Sequence, residues 1–289
     1  MRMNRAWYGA RRLLVLCFCS FWIGGSALTQ TSPHHARPEL VSQTISAAPG
    51  RELWLALHFR LDPGWHVYWT NPGDSGQPPV LKWQLPAGFS AGEIQWPAPE
   101  KLRNSQLADY GYKDEVALLV PVQVPRGLKE GDLEEIEVQA SWLVCREVCI
   151  PEKEQLRLSL PVSRKATDDP AHVAIFATAR KRLPRPWPAQ WKAAVRSLDG
   201  KFVVTLRTGT PVHAAEFFPL QPLEVDNPAP QEFRCTSTGA QLTLRESDQL
   251  LKPVAVLKGV LVVDGHAYQF QAPVAKGAKR SGHGNSRYR

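Results

Sequence analysis

The chain has 289 residues, of which 43% are hydrophobic and 21% charged, which suits a globular protein of about two domains and excludes a disordered chain. Its 25 Pro and 20 Gly residues, spread without a period, exclude collagen and a helical bundle. The net charge of +8 belongs to the two ends, because residues 28–275 alone carry −1. The basic composition therefore does not predict a nucleic-acid partner.

The first 27 residues have the pattern of a secretory signal peptide. Basic residues between Arg2 and Arg12 precede an apolar run at 13–23, and small residues follow at 25–27. The apolar run is too short for a typical membrane-spanning helix. An uncleaved membrane anchor is the alternative. We expect an export signal at 1–27, a polar lead-in at 28–38 and a soluble mature protein outside the cytosol.

Residues 39–165 are predicted to form a β-sandwich. Apolar side chains alternate with others from Leu53 to Leu61, which indicates a strand. Turn signals separate further predicted strands, which lie at 116–124, 136–142 and 155–162. Strands at this spacing, without alternating helices, indicate a sandwich.

A helix and a Pro-rich linker are predicted for 166–189. The helix is expected at 168–183, where Asp169 can cap its first turn. Three basic residues suit its last turn, and prolines follow it. Its predicted apolar stripe consists of Val173, Phe176 and Ala177.

Residues 190–274 are predicted to form a second, smaller β-sandwich. Asp199-Gly200 and Asp264-Gly265 each separate two strand-like runs, as in two-residue hairpins. The tail at 275–289 is basic and rich in small residues, and we expect it to be disordered. The fold class predicted for the whole chain is therefore all-β.

Three cysteines remain after the predicted signal: Cys145, Cys149 and Cys235. The first two form C-R-E-V-C between predicted strands, and outside the cytosol such a pair tends to be a disulfide. By loop entropy, so short a bridge contributes only about 2 kcal/mol, which makes a redox role a candidate. Arg146 could stabilise a thiolate. A structural hairpin disulfide and inert thiols are the alternatives.

Two other groups of residues have ordinary structural explanations. Cys235 lies in a strand-like segment, and we expect it to be a free, partly buried thiol. The six tryptophans between 54 and 142 could line a sugar-binding face, but core packing is the favoured explanation.

Four segments resemble the N-terminal periplasmic domain of the thiol–disulfide interchange protein DsbD, in its ScsB-like variant associated with copper tolerance. They are DPGWHVYWTNPGDSGQPPVLKWQLPAGF (62–89), IQWPAPEKL (94–102), DYGYKDEVALLVPV (109–122) and ASWLVCREVCIPE (140–152). The resemblance implies an immunoglobulin-like sandwich in the periplasm, followed by a second sandwich.

The resemblance also implies a thiol–disulfide relay. Cys149 would be the catalytic thiolate that forms a mixed disulfide, and Cys145 would resolve it. A cap loop that shields the pair would lie at Asp109, Tyr110 and Gly111. Supporting residues are expected around the pair: Trp142 packed under the disulfide, His66, Tyr68, Arg146 and Glu147.

The implied activity is that of a protein-disulfide reductase that needs no cofactor or metal. The implied partners are periplasmic thioredoxin-fold proteins and, as electron donor, a membrane thiol reductase on a separate chain. Two features depart from the better-known DsbD domain, which has more residues between its cysteines and a phenylalanine in its cap.

Two other functions remain open. One is a Cu(I)-binding or copper-tolerance protein that uses the same cysteines and a histidine, because soft thiolates suit Cu(I). The other is a non-catalytic β-sandwich that acts as an interaction module.

Overall fold

The computed structural model describes residues 34–104 and 106–276. The predicted export signal, most of the lead-in and most of the basic tail lie outside these residues. The first strand begins at Ala36, within the segment expected to be a lead-in. None of the helical structure in the described part is long and apolar enough to cross a membrane.

The first half of the described chain forms two antiparallel sheets that pack face to face. One sheet has the order β1-β2-β8-β5. The other has the order β10-β9-β3-β7-β6, with β4 also paired to β9. The strands are β1 Ala36–Ser42, β2 Glu52–Leu61, β3 His66–Gly73, β4 Val80–Gln84, β5 Ser90–Ala91, β6 Glu100–Asn104, β7 Leu107–Lys113, β8 Glu115–Gln123, β9 Leu133–Cys145 and β10 Cys149–Pro161. Phe59 and Leu118 of one sheet meet Val67 and Trp142 of the other in the core, as in the predicted sandwich.

The helix α1 (Val173–Arg182) covers the outer face of the sheet that contains β2 and β8. Its buried side chains are Phe176 and Ala179, which pack with Ala117 and Leu119 of β8. This cover explains why β2 is buried on both faces rather than on alternate residues. The helix is shorter than predicted, and Asp169 caps the preceding turn, where its carboxylate accepts from the amide of Ala171 at 2.9 Å.

The predicted apolar stripe of α1 is partly wrong. Phe176 is buried, but Val173 and Ala177 are exposed. A helix brings residues three and four apart onto one face, and here that face pairs Phe176 with Ala179. The sequence pattern did not reveal which of several small apolar positions would face the sheet.

The second half forms one path of strands, in the order β13-β16-β17-β11-β12-β15-β14. They are β11 Lys192–Leu198, β12 Lys201–Arg207, β13 Ala215–Pro219, β14 Glu232–Thr236, β15 Gly239–Arg245, β16 Val256–Val263 and β17 His266–Lys276. Phe217 of β13 and Leu242 of β15 share one core although they lie far apart in the path, so the sheet curls around that core. We call residues 192–276 the second sandwich.

The two predicted hairpins of the second sandwich are confirmed. Asp199 and Gly200 join β11 to β12 with φ values of 50° and 71°. Asp264 and Gly265 join β16 to β17 with φ values of 46° and 80°. Two consecutive positive φ angles are what a type I′ turn requires, and Asp-Gly supplies them with little strain.

The second sandwich packs directly on the first. Phe218 and Val260 belong to the same buried cluster as Trp69 and Tyr110, and the rings of Tyr110 and Phe218 meet edge to face with centroids 5.4 Å apart. Polar contacts accompany this apolar interface. The side chain of Asn71 donates to the carbonyl of Pro219 at 2.8 Å within it.

Candidate redox-active disulfide

A long hairpin brings the two cysteines together. The strands β9 and β10 pair along their full length, and Cys145 is the register partner of Cys149 at the end of the ladder. A disulfide joins them across the intervening residues 146–148. The two cysteines differ in exposure, because Cys145 is only 2% exposed whereas Cys149 is exposed.

The disulfide lies on the outer face of its sheet, away from the sandwich core. His66 of β3 is paired with Cys145, so both side chains point to this outer face. Tyr68, two residues further along β3, lies on the same face. Its hydroxyl is 3.5 Å from Sγ of Cys149. Because a disulfide sulfur has no hydrogen, the hydroxyl is the donor in this contact.

Burial changes the titration of both β3 side chains. It raises the pKa of Tyr68, which is 1% exposed, so that the phenol stays protonated and can donate at neutral pH. It also lowers the pKa of His66, against a smaller opposite effect of the Asp109 carboxylate. His66 is therefore neutral at pH 7.

A short segment covers Tyr68. Ser75 donates to the carboxylate of Asp109 through its amide and its hydroxyl, both at 2.9 Å. Gly76, two residues after Asp74, lies against the ring of Tyr68. A Cβ at this position would be 2.1 Å from Cζ of that ring. Gly76 also has a φ of +81°, so the close approach and the backbone conformation both favour glycine. We call residues 74–76 the covering segment.

The residues expected to form a cap loop at 109–111 form a strand in the structure. Asp109, Tyr110 and Gly111 lie within the buried strand β7. Tyr110 points to the core face, where its hydroxyl donates to Asn227 at 3.0 Å, and it therefore does not shield the disulfide. Alternation along a strand sends neighbouring side chains to opposite faces. Asp109 lies on the outer face, where it anchors the covering segment.

Trp142 lies on the core face of β9, on the opposite side of the sheet from Cys145. Its indole donates to the carboxylate of Glu152 at 3.1 Å. It thus packs beneath the strand that carries the disulfide rather than against the sulfurs. Like the other tryptophans between 54 and 142, it is at least half buried, so the explanation by core packing holds.

The hairpin tip holds the two charged residues proposed around the pair. The guanidinium of Arg146 lies 5.4 Å from the ring centroid of Trp65, a cation–π contact. Glu147 is exposed at the tip. The structure thus brings His66 and Tyr68 to the disulfide, and it directs Arg146 to an aromatic ring.

Cys235 differs from the expectation of a partly buried thiol. It is free and exposed, because β14 is the last strand of its sheet path and its side chains beyond Phe233 extend past the core.

The copper alternative would use the same two cysteines and a histidine. Among residues 34–104 and 106–276, no group of three or more His, Cys, Asp or Glu side chains is arranged to hold a metal ion. Both cysteines of the pair are engaged in the disulfide.

Sequence reasoning missed the covering segment and its supports. The sequence N-P-G-D-S-G at 71–76 indicated only a turn after β3. The small residues of this turn, Gly73, Ser75 and Gly76, do not indicate which aromatic ring the turn will cover. Nothing in the sequence near Asn227 pointed to Tyr110 or Asp74, more than 100 positions away.

Comparisons with known proteins find a similar family and a similar fold. Residues 36–161 match the family model described as thiol:disulfide interchange protein DsbD, N-terminal. The chain is also similar to the crystal structure of the N-terminal periplasmic domain of ScsB from Proteus mirabilis, with a TM-score of 0.65 and 17% identity, over 86% of this chain and 97% of that one. At this identity, the likeness shows a shared fold that extends over both sandwiches.

A periplasmic chaperone of known structure is much less similar. The periplasmic chaperone SfaE has a TM-score of 0.19 and 8% identity, over 82% of this chain and 100% of that one. A comparison with curated proteins gave no match. The family match, the fold and the disulfide support thiol–disulfide exchange in general terms, and we conclude that residues 36–161 are a DsbD N-terminal-like domain.

Proposed function

We propose that the chain is a periplasmic thiol–disulfide exchange module that passes reducing equivalents from Cys145 and Cys149 to oxidised partner proteins. The observation that carries the proposal is the unequal access of the two sulfurs. Cys149 is exposed and contacts a phenol donor, while Cys145 is buried behind it. Cys149 is thus the residue of the pair that a partner would meet.

The exchange begins with the reduced pair. The thiolate of Cys149 attacks one sulfur of a partner disulfide, which forms a mixed disulfide and releases the other partner sulfur as a thiolate. The thiolate of Cys145 then attacks Sγ of Cys149, which releases the second partner thiolate. Two electrons pass to the partner, its two thiolates take up two protons, and the Cys145–Cys149 disulfide forms again.

The exchange has two other participants, which we define by their chemistry. The oxidised partners are thioredoxin-fold proteins, and a membrane dithiol donor restores the reduced pair. Val148, beside Cys149 at the hairpin tip, is 63% exposed and offers apolar surface to a partner whose cysteine approaches Cys149.

The proposal is tested by the reduction potential of the Cys145–Cys149 pair. Purified protein is equilibrated in graded glutathione buffers, and the free thiols are trapped and counted by mass spectrometry. We expect a reversible couple between roughly −160 and −270 mV, as in known exchange proteins. A pair that stays oxidised below about −300 mV would mark a structural bridge and contradict the proposal.

A pair of variants tests the assignment of the two cysteines. Cys145→Ser leaves Cys149 free to hold a mixed disulfide, and we expect it to accumulate adducts with thioredoxin-fold proteins. The matched variant Cys149→Ser leaves only the buried thiol and is expected to form none. Equal trapping by both variants would refute the assignment.

A further inference from the structure

The second sandwich is connected to the disulfide by a continuous series of contacts. Asn227 accepts from the hydroxyl of Tyr110 at 3.0 Å and donates to Oδ1 of Asp74 at 2.8 Å. Oδ2 of Asp74 accepts from the amide of Ala108 at 2.8 Å. Asp74 is the first residue of the covering segment, so a side chain of the second sandwich holds one end of that segment.

The other end of the series is the exposed sulfur. Ser75 is fixed to Asp109 by two hydrogen bonds, and Gly76 lies against the ring of Tyr68. The hydroxyl of the same ring is 3.5 Å from Sγ of Cys149. A loosened covering segment would uncover one side of the ring and allow the hydroxyl to move from the sulfur.

Asn227 is held in place by its surroundings. It is 5% exposed, and both ends of its amide have partners on the first sandwich. The amide of Asn227 has one orientation, since rotation would place its oxygen against the carboxylate of Asp74, which can only accept. Its contact with Asp74 is therefore a rigid one.

We propose that the second sandwich holds the hydroxyl of Tyr68 against the sulfur of Cys149, with Asn227 as the positioning residue that acts through Asp74 and the covering segment. The inference rests on the proposed function, because the hydrogen bond matters for exchange at Cys149. A donor beside the sulfur stabilises the thiolate over the thiol and so favours the attacking form.

The test is the pKa of the Cys149 thiol, measured from the pH dependence of its alkylation by iodoacetamide. The full mature chain carries Cys145→Ser and Cys235→Ser, because the exposed thiol of Cys235 would react with the same reagent. We expect Tyr68→Phe to raise the pKa of Cys149 by about one unit, the size of a hydrogen bond to a charged group. Asn227→Ala should also raise the pKa of Cys149, but by less than Tyr68→Phe.

A double variant separates positioning from general loosening. Once Tyr68→Phe has removed the hydroxyl, Asn227→Ala should cause no further shift, because the two residues act through one contact. Arg103→Gln is the matched control, since Arg103 donates to the second sandwich at the carbonyl of Pro228 rather than to Asn227 or Asp74. It should leave the pKa of Cys149 unchanged.

Each outcome bears on one proposal. An unchanged pKa in Asn227→Ala, or equal shifts in Asn227→Ala with and without Tyr68→Phe, would overturn the inference while leaving thiol exchange intact. Failure of the unmodified pair to exchange with glutathione would overturn the proposed function instead. If Asn227→Ala does not fold, Asn227→Ser keeps a smaller polar group at the site and gives the same test.

Discussion

Cys145 and Cys149 owe their different exposure to where their strands lie. Cys145 ends β9, which has β10 on one side and β3 on the other, so neighbours cover its sulfur. Cys149 begins β10, which is the last strand of the sheet path and has an open side. A disulfide between an inner and an outer strand gives one protected and one accessible sulfur.

His66 is the residue next to this pair whose titration should be visible in stability. Burial lowers its pKa in the folded protein from the ordinary value of 6.5, and the charged groups that act on it are Asp109 and Lys113. As pH falls below 6.5, the unfolded chain takes up a proton that the folded chain does not. The free energy of unfolding therefore decreases with falling pH until the folded-state pKa is passed.

We predict that His66→Gln makes the free energy of unfolding less dependent on pH between 7.5 and 5.0. Urea unfolding at the two pH values measures this difference. His213→Gln is the control, because His213 is exposed, and it should keep the pH dependence of the unmodified chain. The same pH dependence in His66→Gln would show that other groups cause it.

The helix α1 shows how one element changes the burial of another. The alternation in β2 predicts one buried and one exposed face, yet Ala56 and His58 on its second face are buried. The helix α1 packs on that face of β2 through Phe176 and Ala179. An element more than 100 positions away thus completes a second layer of core.

We predict that Phe176→Ala lowers the free energy of unfolding by about 3–5 kcal/mol, as for a fully buried phenylalanine. Phe176 is 0% exposed, whereas Val173 at the start of the same helix is 42% exposed. Val173→Ala should therefore change stability by at most about 0.5 kcal/mol. Urea unfolding gives both values, and similar losses in the two variants would contradict the packing of α1 described above.

At the scale of the whole molecule, the two sandwiches share a core. Phe218 of the second sandwich is 2% exposed and packs among residues of the first. Such a shared cluster couples the unfolding of the two parts. We expect the chain to unfold in a single calorimetric transition.

We predict that Phe218→Ala costs about 3–5 kcal/mol and separates this transition into two, because the cavity lies at the interface. Calorimetry measures both the loss and the separation. Phe233→Ala, on the edge strand β14 and away from the first sandwich, should lower stability without separating the transitions. A single transition in Phe218→Ala would show that the coupling resides elsewhere.

Part of the fold and of the site could be predicted from the sequence. Strand periodicity, two Asp-Gly turns and the resemblance at 62–152 led to the sandwiches and to the cysteine pair. The sheet face to which each side chain near the site points could not be predicted so easily. Tyr110 was expected over the disulfide, but the register of β7 turns it to the core and leaves Asp109 on the outer face.

Local sequence patterns were enough to predict the short-range features: the hairpin strands, their tight turns and the spacing that allows Cys145 to meet Cys149. These depend on alternation and backbone preference among neighbours. The fold was needed to establish which cysteine is exposed, what covers Tyr68 and how Asn227 reaches Asp74. Those features depend on strand order and on contacts between distant segments, and a buried amide or a glycine against a ring has no local pattern that marks it.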